Sequence, residues 1–148
     1  MKATKEAKTR RCHECGTGRV RPVARAGRRL RYKTIAALAV PGDMAIPTCD
    51  NCGAEWFDET TARALDEVLD QAYRRILHQT ARTAVEGLAP HVTQRRLEEL
   101  LGLSHGYLSK IRSGVRVPSA ELVGHLALLA RDPERRLREL EEIWEHAA

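Results

Sequence analysis

The stretch GLSHGYLSKIRSGVRVPS, from Gly102 to Ser119, combines turn residues with a short polar and basic segment. Gly102, Gly114 and Pro118 punctuate it, and few of its other residues are apolar. A segment that must fold yet buries so little of itself presents its side chains to a partner. Its fold therefore depends on the helices that flank it.

A helix is predicted on each side of a turn at residues 102–104. Thr93 is expected to cap the first helix, and Ser104 the second, which runs to Ser113. Apolar residues that can hold the pair together are Leu97, Leu101, Leu103, Leu108 and Ile111. The outer face of the second helix stays free, as in a helix-turn-helix whose recognition helix enters the DNA major groove. An ordinary helical hairpin is the alternative, but the turn, the polar face and the flanking basic residues occur together.

The DNA contacts expected from this arrangement are Gln94, Ser104, His105, Tyr107, Lys110, Arg112 and Arg116. His105, Tyr107 and Lys110 lie in the first turns of the recognition helix, where side chains reach base edges, and Lys110 can also serve a phosphate. The other four are better placed to bind phosphates. Each of the seven could instead be a plain surface residue.

Helices are also predicted before and after this pair. One begins at Asp58, ends before Pro90 and carries an apolar face formed by Ala62, Leu65, Leu69, Ala72, Tyr73 and Ile76. Ser119 should cap another, and Asp132-Pro133 should open the last one. That last helix carries an apolar stripe of Leu137, Leu140 and Trp144, which either forms the seam of a homodimer or packs on its own domain.

Four cysteines lie in two C-x-x-C-G turns, CHECG and CDNCG. This spacing predicts a closed four-sulfur zinc site, one structural ion per chain, with the ligands Cys12, Cys15, Cys49 and Cys52. A redox pair would need one such motif in a βαβ unit, which is missing here, whereas spacing alone leaves an iron–sulfur cluster open. His13 is expected to be exposed, and Trp56 and Phe57 to pack the core of this small domain.

The N-terminal third has the pattern of strands and turns. The expected strands are Val20–Arg25, Leu30–Leu38 and Met44–Thr48. The net charge is +5, but basic residues dominate Lys2–Lys33 and acidic residues dominate Asp43–Asp70. A basic balance points weakly to nucleic acid, and a bipolar surface suits self-association or an acidic partner as well as plain solvation.

No secretion signal or membrane-spanning run is recognised, so the expected location is the cytoplasm, without membrane association. Cysteines there are more often metal ligands than disulfides. His78, His91, His125 and the scattered carboxylates form no catalytic constellation, so an enzyme is not expected. An RNA-binding zinc ribbon is conceivable, but the N-terminal third is short of aromatic residues for stacking.

The stretch Thr93–Leu129 resembles the Xre/Cro-type helix-turn-helix family through "TQ..L...LGLS...LS.I.SG.R.PS". Cys12–Asp58, with CHECGTG and VPGDMAIPTCDNCGAEWFD, resembles the zinc domain of MqsA/YgiT-type antitoxins, and the order of the two domains matches that family. The resemblance assigns the four cysteines to zinc. The family's base-reading asparagine falls at Gly106 and its arginine at Lys110, so the operator should differ. The extension Met1–Thr9 and the helix from Asp132 are outside the family pattern.

The resemblance implies an antitoxin of a type II toxin–antitoxin system that binds a ribonuclease-type toxin and, as a homodimer, represses its own operon at a palindromic operator. The alternative is a stand-alone zinc-containing Xre-family regulator without a toxin. The fold class expected is α+β, a small zinc-bound β-rich N-terminal domain followed by an all-α Xre-type helix-turn-helix domain. The predicted division is 10–57 for the zinc domain, 58–90 for a connecting helix or helices and 91–148 for the helix-turn-helix domain of DNA binding and dimerisation.

Overall fold

A computed structural model describes residues 9–147. Residues 1–8, with most of the basic extension, and Ala148 lie outside the described part. The strands are β1 (Arg10–Arg11), β2 (Arg19–Ala24), β3 (Arg29–Tyr32), β4 (Ile35–Ala39) and β5 (Ala45–Cys49). The helices are α1 (Glu59–Leu88), α2 (Gln94–Leu100), α3 (Tyr107–Arg112), α4 (Ala120–Arg131) and α5 (Pro133–Glu145). The fold class is confirmed: a small β-sheet domain with a four-cysteine cluster precedes an all-α region.

The strands form two antiparallel sheets. One has the order β1-β2-β5, and the other pairs β3 with β4. The prediction of one strand over Leu30–Leu38 is wrong, because the chain reverses between Tyr32 and Ile35. Lys33 takes a positive φ of 49° in that turn. Lysine rarely adopts this conformation, so its presence in the sequence does not predict a turn.

A buried arginine links the strands of the N-terminal part. The Arg28 guanidinium donates to the carbonyl oxygens of Val23 and Met44 and forms an ion pair of 2.9 Å with Glu55. Burying a guanidinium charge without partners costs free energy, and these contacts compensate for the burial of Arg28. They tie the chain between β2 and β3 to both β2 and the segment around β5.

Helix α1 begins where the sequence predicts, because the Asp58 carboxylate accepts a 2.8 Å hydrogen bond from the backbone N–H of Thr61. Its buried side chains include Leu65, Leu69, Tyr73, Leu77, Ala81 and Leu88. Ile76, expected on this face, is exposed, and Leu77 is buried instead. The first half of α1 packs on the β3–β4 hairpin, where the Lys33 ammonium lies 2.6 Å from the Asp70 carboxylate.

The caps of three later helices are also confirmed. The side chains of Thr93, Ser119 and Asp132 accept from the backbone N–H three residues on, and Pro133 occupies the first turn of α5.

The chain divides into two compact units, Met1–Tyr73 and Arg74–Ala148, with the boundary inside α1. The finer division at 57/58 and 90/91 stays a prediction. Among residues 9–147, no helix is long and apolar enough to cross a membrane.

Candidate metal centre and candidate nucleic-acid interface

The two cysteine motifs form matching turns. Gly16 and Gly53 adopt positive φ angles of 68° and 73°, and each donates its N–H to the carbonyl oxygen of the cysteine four residues earlier. Glycine enters this left-handed conformation without strain, which explains its place directly after each C-x-x-C. Each turn thereby folds its two sulfurs back toward one point.

The four sulfurs of Cys12, Cys15, Cys49 and Cys52 lie within 4.8 Å of one another. The Sγ atoms of Cys12 and Cys52 are 3.6 Å apart, and those of Cys15 and Cys49 are 3.8 Å apart. In a tetrahedral zinc site with bonds of about 2.3 Å, sulfurs are about 3.8 Å apart. The cluster therefore has the donor set and the size for a single tetrahedral cation.

Backbone N–H groups prepare these sulfurs for negative charge. The amides of Cys15, Gly18 and Asn51 lie 3.4 Å from the sulfurs of Cys12, Cys15 and Cys49 respectively. The contact from Gly18, helped by Thr17 and Asn51, lowers the pKa of Cys15 to about 5. The N–H of Ala54 also favours the Cys52 thiolate, yet desolvation and the other three sulfurs together raise the pKa of Cys52 to about 12. Four thiolates this close need a cation to neutralise them.

Gly18 is a residue of the site that sequence reasoning missed. A Cβ atom there would lie 2.3 Å from the Cys49 sulfur and 2.7 Å from the Asn51 Cβ. The backbone of one turn thus touches the other. No pattern in the sequence separates such a close approach from an ordinary loop glycine.

The side chains around the cluster match expectation in part. Trp56 packs against the buried group of Cys12, Val20 and Cys49, and His13 is exposed, as predicted. Phe57 is 47% exposed, so its predicted place in the core is wrong. Phe57 lies just before α1, which begins at Glu59.

Helices α2 and α3 lie on either side of a turn that is longer than predicted. Helix α3 begins at Tyr107, and Ser104 does not cap it. Gly106 occupies the cap position with a φ of 77° and provides no side chain. Leu97 of α2 and Leu108 and Ile111 of α3 are buried, as expected.

Glu98, a residue of α2, caps the N-terminus of α3 with its side chain. Its side chain is buried, with 1% of the residue exposed, and its carboxylate accepts from the N–H groups of Gly106 at 3.0 Å and Leu108 at 2.9 Å. Burial raises the pKa of Glu98, but these two N–H donors and the amide of Gln94 outweigh it, and the pKa is lowered overall. Sequence reasoning missed this residue because its partners lie on another helix.

The other end of α3 is held by α1. The Nε2 atom of His78 lies 2.7 Å from the Ile111 carbonyl oxygen, so the imidazole donates to this carbonyl, which also accepts the backbone N–H of Gly114. Helix α3 has six residues and is too short to be stable alone. Side chains from two other helices therefore determine where it lies.

The predicted DNA contacts fall into two groups. Ser104, His105, Lys110, Arg112 and Arg116 are exposed, whereas Gln94 and Tyr107 are half-buried. The Gln94 amide donates to Ser109 at 2.8 Å and to Glu98 at 3.1 Å. The Arg116 guanidinium lies 5.1 Å from the centre of the Tyr107 ring, so these two side chains contact each other.

The predicted stripe on α5 is mixed in burial. Leu137 is buried and Leu140 half-buried, whereas Trp144 is 57% exposed although its indole N–H donates to the Leu100 carbonyl. Leu128 and Ile143 are likewise 54% and 59% exposed, and they line a groove of about 470 Å³ with Trp144. We call these three side chains the α4–α5 apolar face.

The two units thus carry different candidate sites. A cation held by four sulfurs has no position left for water or substrate, which suits a structural site. Exposed basic groups on and after α3 suit contacts with an anion. Comparisons with protein-family models, curated proteins and solved structures find no match to this chain.

Proposed function

We propose that the chain is a DNA-binding repressor in which α2 and α3 form a helix-turn-helix. The observation that carries this proposal is the mounting of α3. Glu98 and His78 hold its two ends, Leu108 and Ile111 bury its inner face, and basic side chains occupy its outer face. A six-residue helix held rigidly with its outer face free is what major-groove reading requires.

We further propose that Cys12, Cys15, Cys49 and Cys52 hold one structural zinc ion per chain. Support comes from the sulfur spacing of 3.6 and 3.8 Å and from the all-thiolate donor set. The ion would stabilise the N-terminal unit and take no part in a reaction.

The α4–α5 apolar face supports a homodimer. An exposed tryptophan flanked by an isoleucine and a leucine is the kind of surface that subunits bury against each other. A two-fold protein would then read a palindromic operator. The bound state would be a homodimer with one α3 in each half-site.

The biological role that we propose is that of a cytoplasmic type II antitoxin, which binds a ribonuclease-type toxin and represses its own operon. Its support is the order of the two motifs, a four-cysteine unit before the α2–α3 segment. A stand-alone regulator would use the same DNA surface without a toxin. Co-expression with the product of the adjacent reading frame separates these roles: the antitoxin must suppress its toxicity and co-purify with it.

Two variants test the DNA surface. Lys110→Ala should cost about 1–3 kcal/mol of binding free energy on the operator and little on scrambled duplex, because a base contact carries specificity. Arg116→Ala should weaken both duplexes alike and reduce the salt dependence by about one counterion, because a phosphate contact carries no sequence information.

The measurement is duplex binding at several salt concentrations, with Arg138→Ala on the exposed side of α5 as a control. If Lys110→Ala weakens both duplexes equally, Lys110 only contacts phosphate. If neither Lys110→Ala nor Arg116→Ala changes binding, α3 does not lie in the groove and the proposal fails.

A further inference from the structure

Exposed arginines lie on one face of β1 and β2. Arg11 is directly opposite Arg19 in the antiparallel register, and Arg21 lies two positions along β2. Cross-strand partners share a face of a sheet, as do residues two apart on one strand. We call Arg11, Arg19 and Arg21 the arginine face.

The pairing of Arg11 with Arg19 is unusual because like charges directly opposite each other destabilise a sheet. Several other cations of this unit are paired, as in the 3.0 Å contact of Arg25 with Glu55. Arg21 also has a partner, Asp50 at 2.6 Å. Within residues 9–147, however, no carboxylate forms an ion pair with Arg11 or Arg19. The Asp50 carboxylate accepts from the backbone N–H of Arg19 at 2.8 Å but pairs with the Arg21 side chain. The opposed side chains of Arg11 and Arg19 are therefore suited to an anion from outside the described residues.

The surroundings of this pair indicate the class of anion. Strands β1, β2 and β5 contain no aromatic residue, so the face offers nothing for unpaired bases to stack on. Trp56 lies under Arg10, whose cross-strand partner is the buried Val20, and so belongs to the opposite face. A protein partner would want aromatic anchors, which are missing from these strands, and Val23, the apolar residue next along the same face of β2, is half-buried. Planar guanidinium groups in a row match the phosphates of a stacked duplex instead.

We propose that the arginine face binds the phosphodiester backbone of duplex DNA without reading sequence. The choice of DNA as the duplex rests on the function proposed above, whereas the anion site rests on Arg11 and Arg19. It gives the N-terminal unit a contact with nucleic acid that is separate from α3.

The test uses the full-length, zinc-loaded protein and a random DNA duplex. Each phosphate contact contributes about 0.9 to the slope of log affinity against log salt concentration. Arg11→Gln/Arg19→Gln should therefore lower that slope by about 1.8. Arg11→Lys/Arg19→Lys keeps both charges and should retain most of the salt slope of the parent. Arg31→Gln/Arg63→Gln removes two exposed charges from the same unit and should leave the slope near that of the wild type.

Thermal unfolding separates binding from a structural role. Removing two opposed cations should leave the unfolding midpoint and the metal content of Arg11→Gln/Arg19→Gln no lower than those of the parent. An unchanged slope, or an equal fall in Arg31→Gln/Arg63→Gln, would overturn the proposal.

Competitors identify the anion. Unlabelled duplex DNA should displace the probe from the parent far better than polyglutamate or duplex RNA at equal charge concentration. If polyglutamate or the RNA competes better, and only when Arg11 and Arg19 are present, the face binds an acidic peptide or RNA and the DNA assignment is wrong.

The outcome is independent of base reading by α3. If Lys110→Ala leaves the discrimination between operator and scrambled duplex unchanged, the proposed base contact of Lys110 is wrong. A lower salt slope of Arg11→Gln/Arg19→Gln on random duplex would still support the arginine face. The reverse result would defeat the arginine face and keep the proposed repressor.

Discussion

Gly18 shows how a single residue can control a site to which it contributes no ligand. Its Cα faces the second cysteine turn so closely that a Cβ atom would lie 2.3 Å from the Cys49 sulfur. Backbone and sulfur cannot both keep their positions around an added methyl group. The spacing within each cysteine turn could be recognised in the sequence because it is local, whereas this contact joins the turn before β2 to the end of β5.

We therefore expect Gly18→Ala to lower the metal affinity by about 10–100-fold, the range for changes just outside a ligand shell. Competition with a chromophoric chelator measures the affinity. Gly124→Ala is the matched control, because a Cβ there meets nothing within 4 Å and alanine favours the helix α4. Parental affinity in Gly18→Ala would show that the two turns can move apart without loss.

Helix α3 shows, for a whole element, that contacts between distant residues cannot be predicted from local sequence. Local signals correctly predict the caps at Thr93, Ser119 and Asp132, because each side chain bonds to its own turn. Ser104 carries the same signal and fails, because the Glu98 carboxylate of α2 already occupies the N–H groups that begin α3. Tertiary packing decides whether a local or a distant side chain caps a helix, and sequence propensities carry no information on tertiary packing.

Glu98→Gln should therefore destabilise the helical unit by about 1–3 kcal/mol, because an amide places N–H donors against buried N–H groups. Urea unfolding measures the loss. Glu99→Gln, next in sequence but half exposed and in surface ion pairs, should change stability by less than about 1 kcal/mol. Equal effects of the two substitutions would mean that the Glu98 contacts are not significant.

The same carboxylate predicts a pH dependence. Its pKa in the folded chain lies below the ordinary value of 4.5, so its stabilisation is complete above about pH 4.5 and is lost as the pH falls through the lowered pKa. The imidazole Nδ1 of His105 lies 3.6 Å from the Glu98 carboxylate and also lowers its pKa. Stability curves of the parent and Glu98→Gln should converge in acid, and a constant difference between them would contradict this assignment.

At the scale of the whole molecule, the two units should depend differently on metal. The buried cluster at the candidate metal centre is Cys12, Val20 and Cys49, so two of its three members belong to the four-cysteine site. Without a cation, the two cysteine turns lose their link, and the strands keep only the small group around Ile46 and the Arg28 contacts. Metal affinity there contributes to the folding free energy. The helical unit has its own buried leucines, among them Leu88, Leu97, Leu108 and Leu126.

Chelation, or Cys49→Ser, should therefore unfold residues 10–57 while most of the helical signal in circular dichroism persists. Amide exchange resolved by residue measures both parts in one sample, and α4 serves as the internal control. If the strand amides stay protected from exchange after complete metal removal, the sheet is stable without the ion and the prediction is wrong.

The position of the two cysteine turns along the chain has a further consequence, for chain entropy. Cys15 and Cys49 are 34 positions apart, so an ion that holds both closes a loop containing β2, β3 and β4. Closing that loop costs chain entropy when the ion binds. This cost changes by only about 0.6 kcal/mol for each doubling of loop length. The centre should thus tolerate insertions in the exposed turn around Gly27, where a Cβ meets nothing, far better than a single methyl group at Gly18.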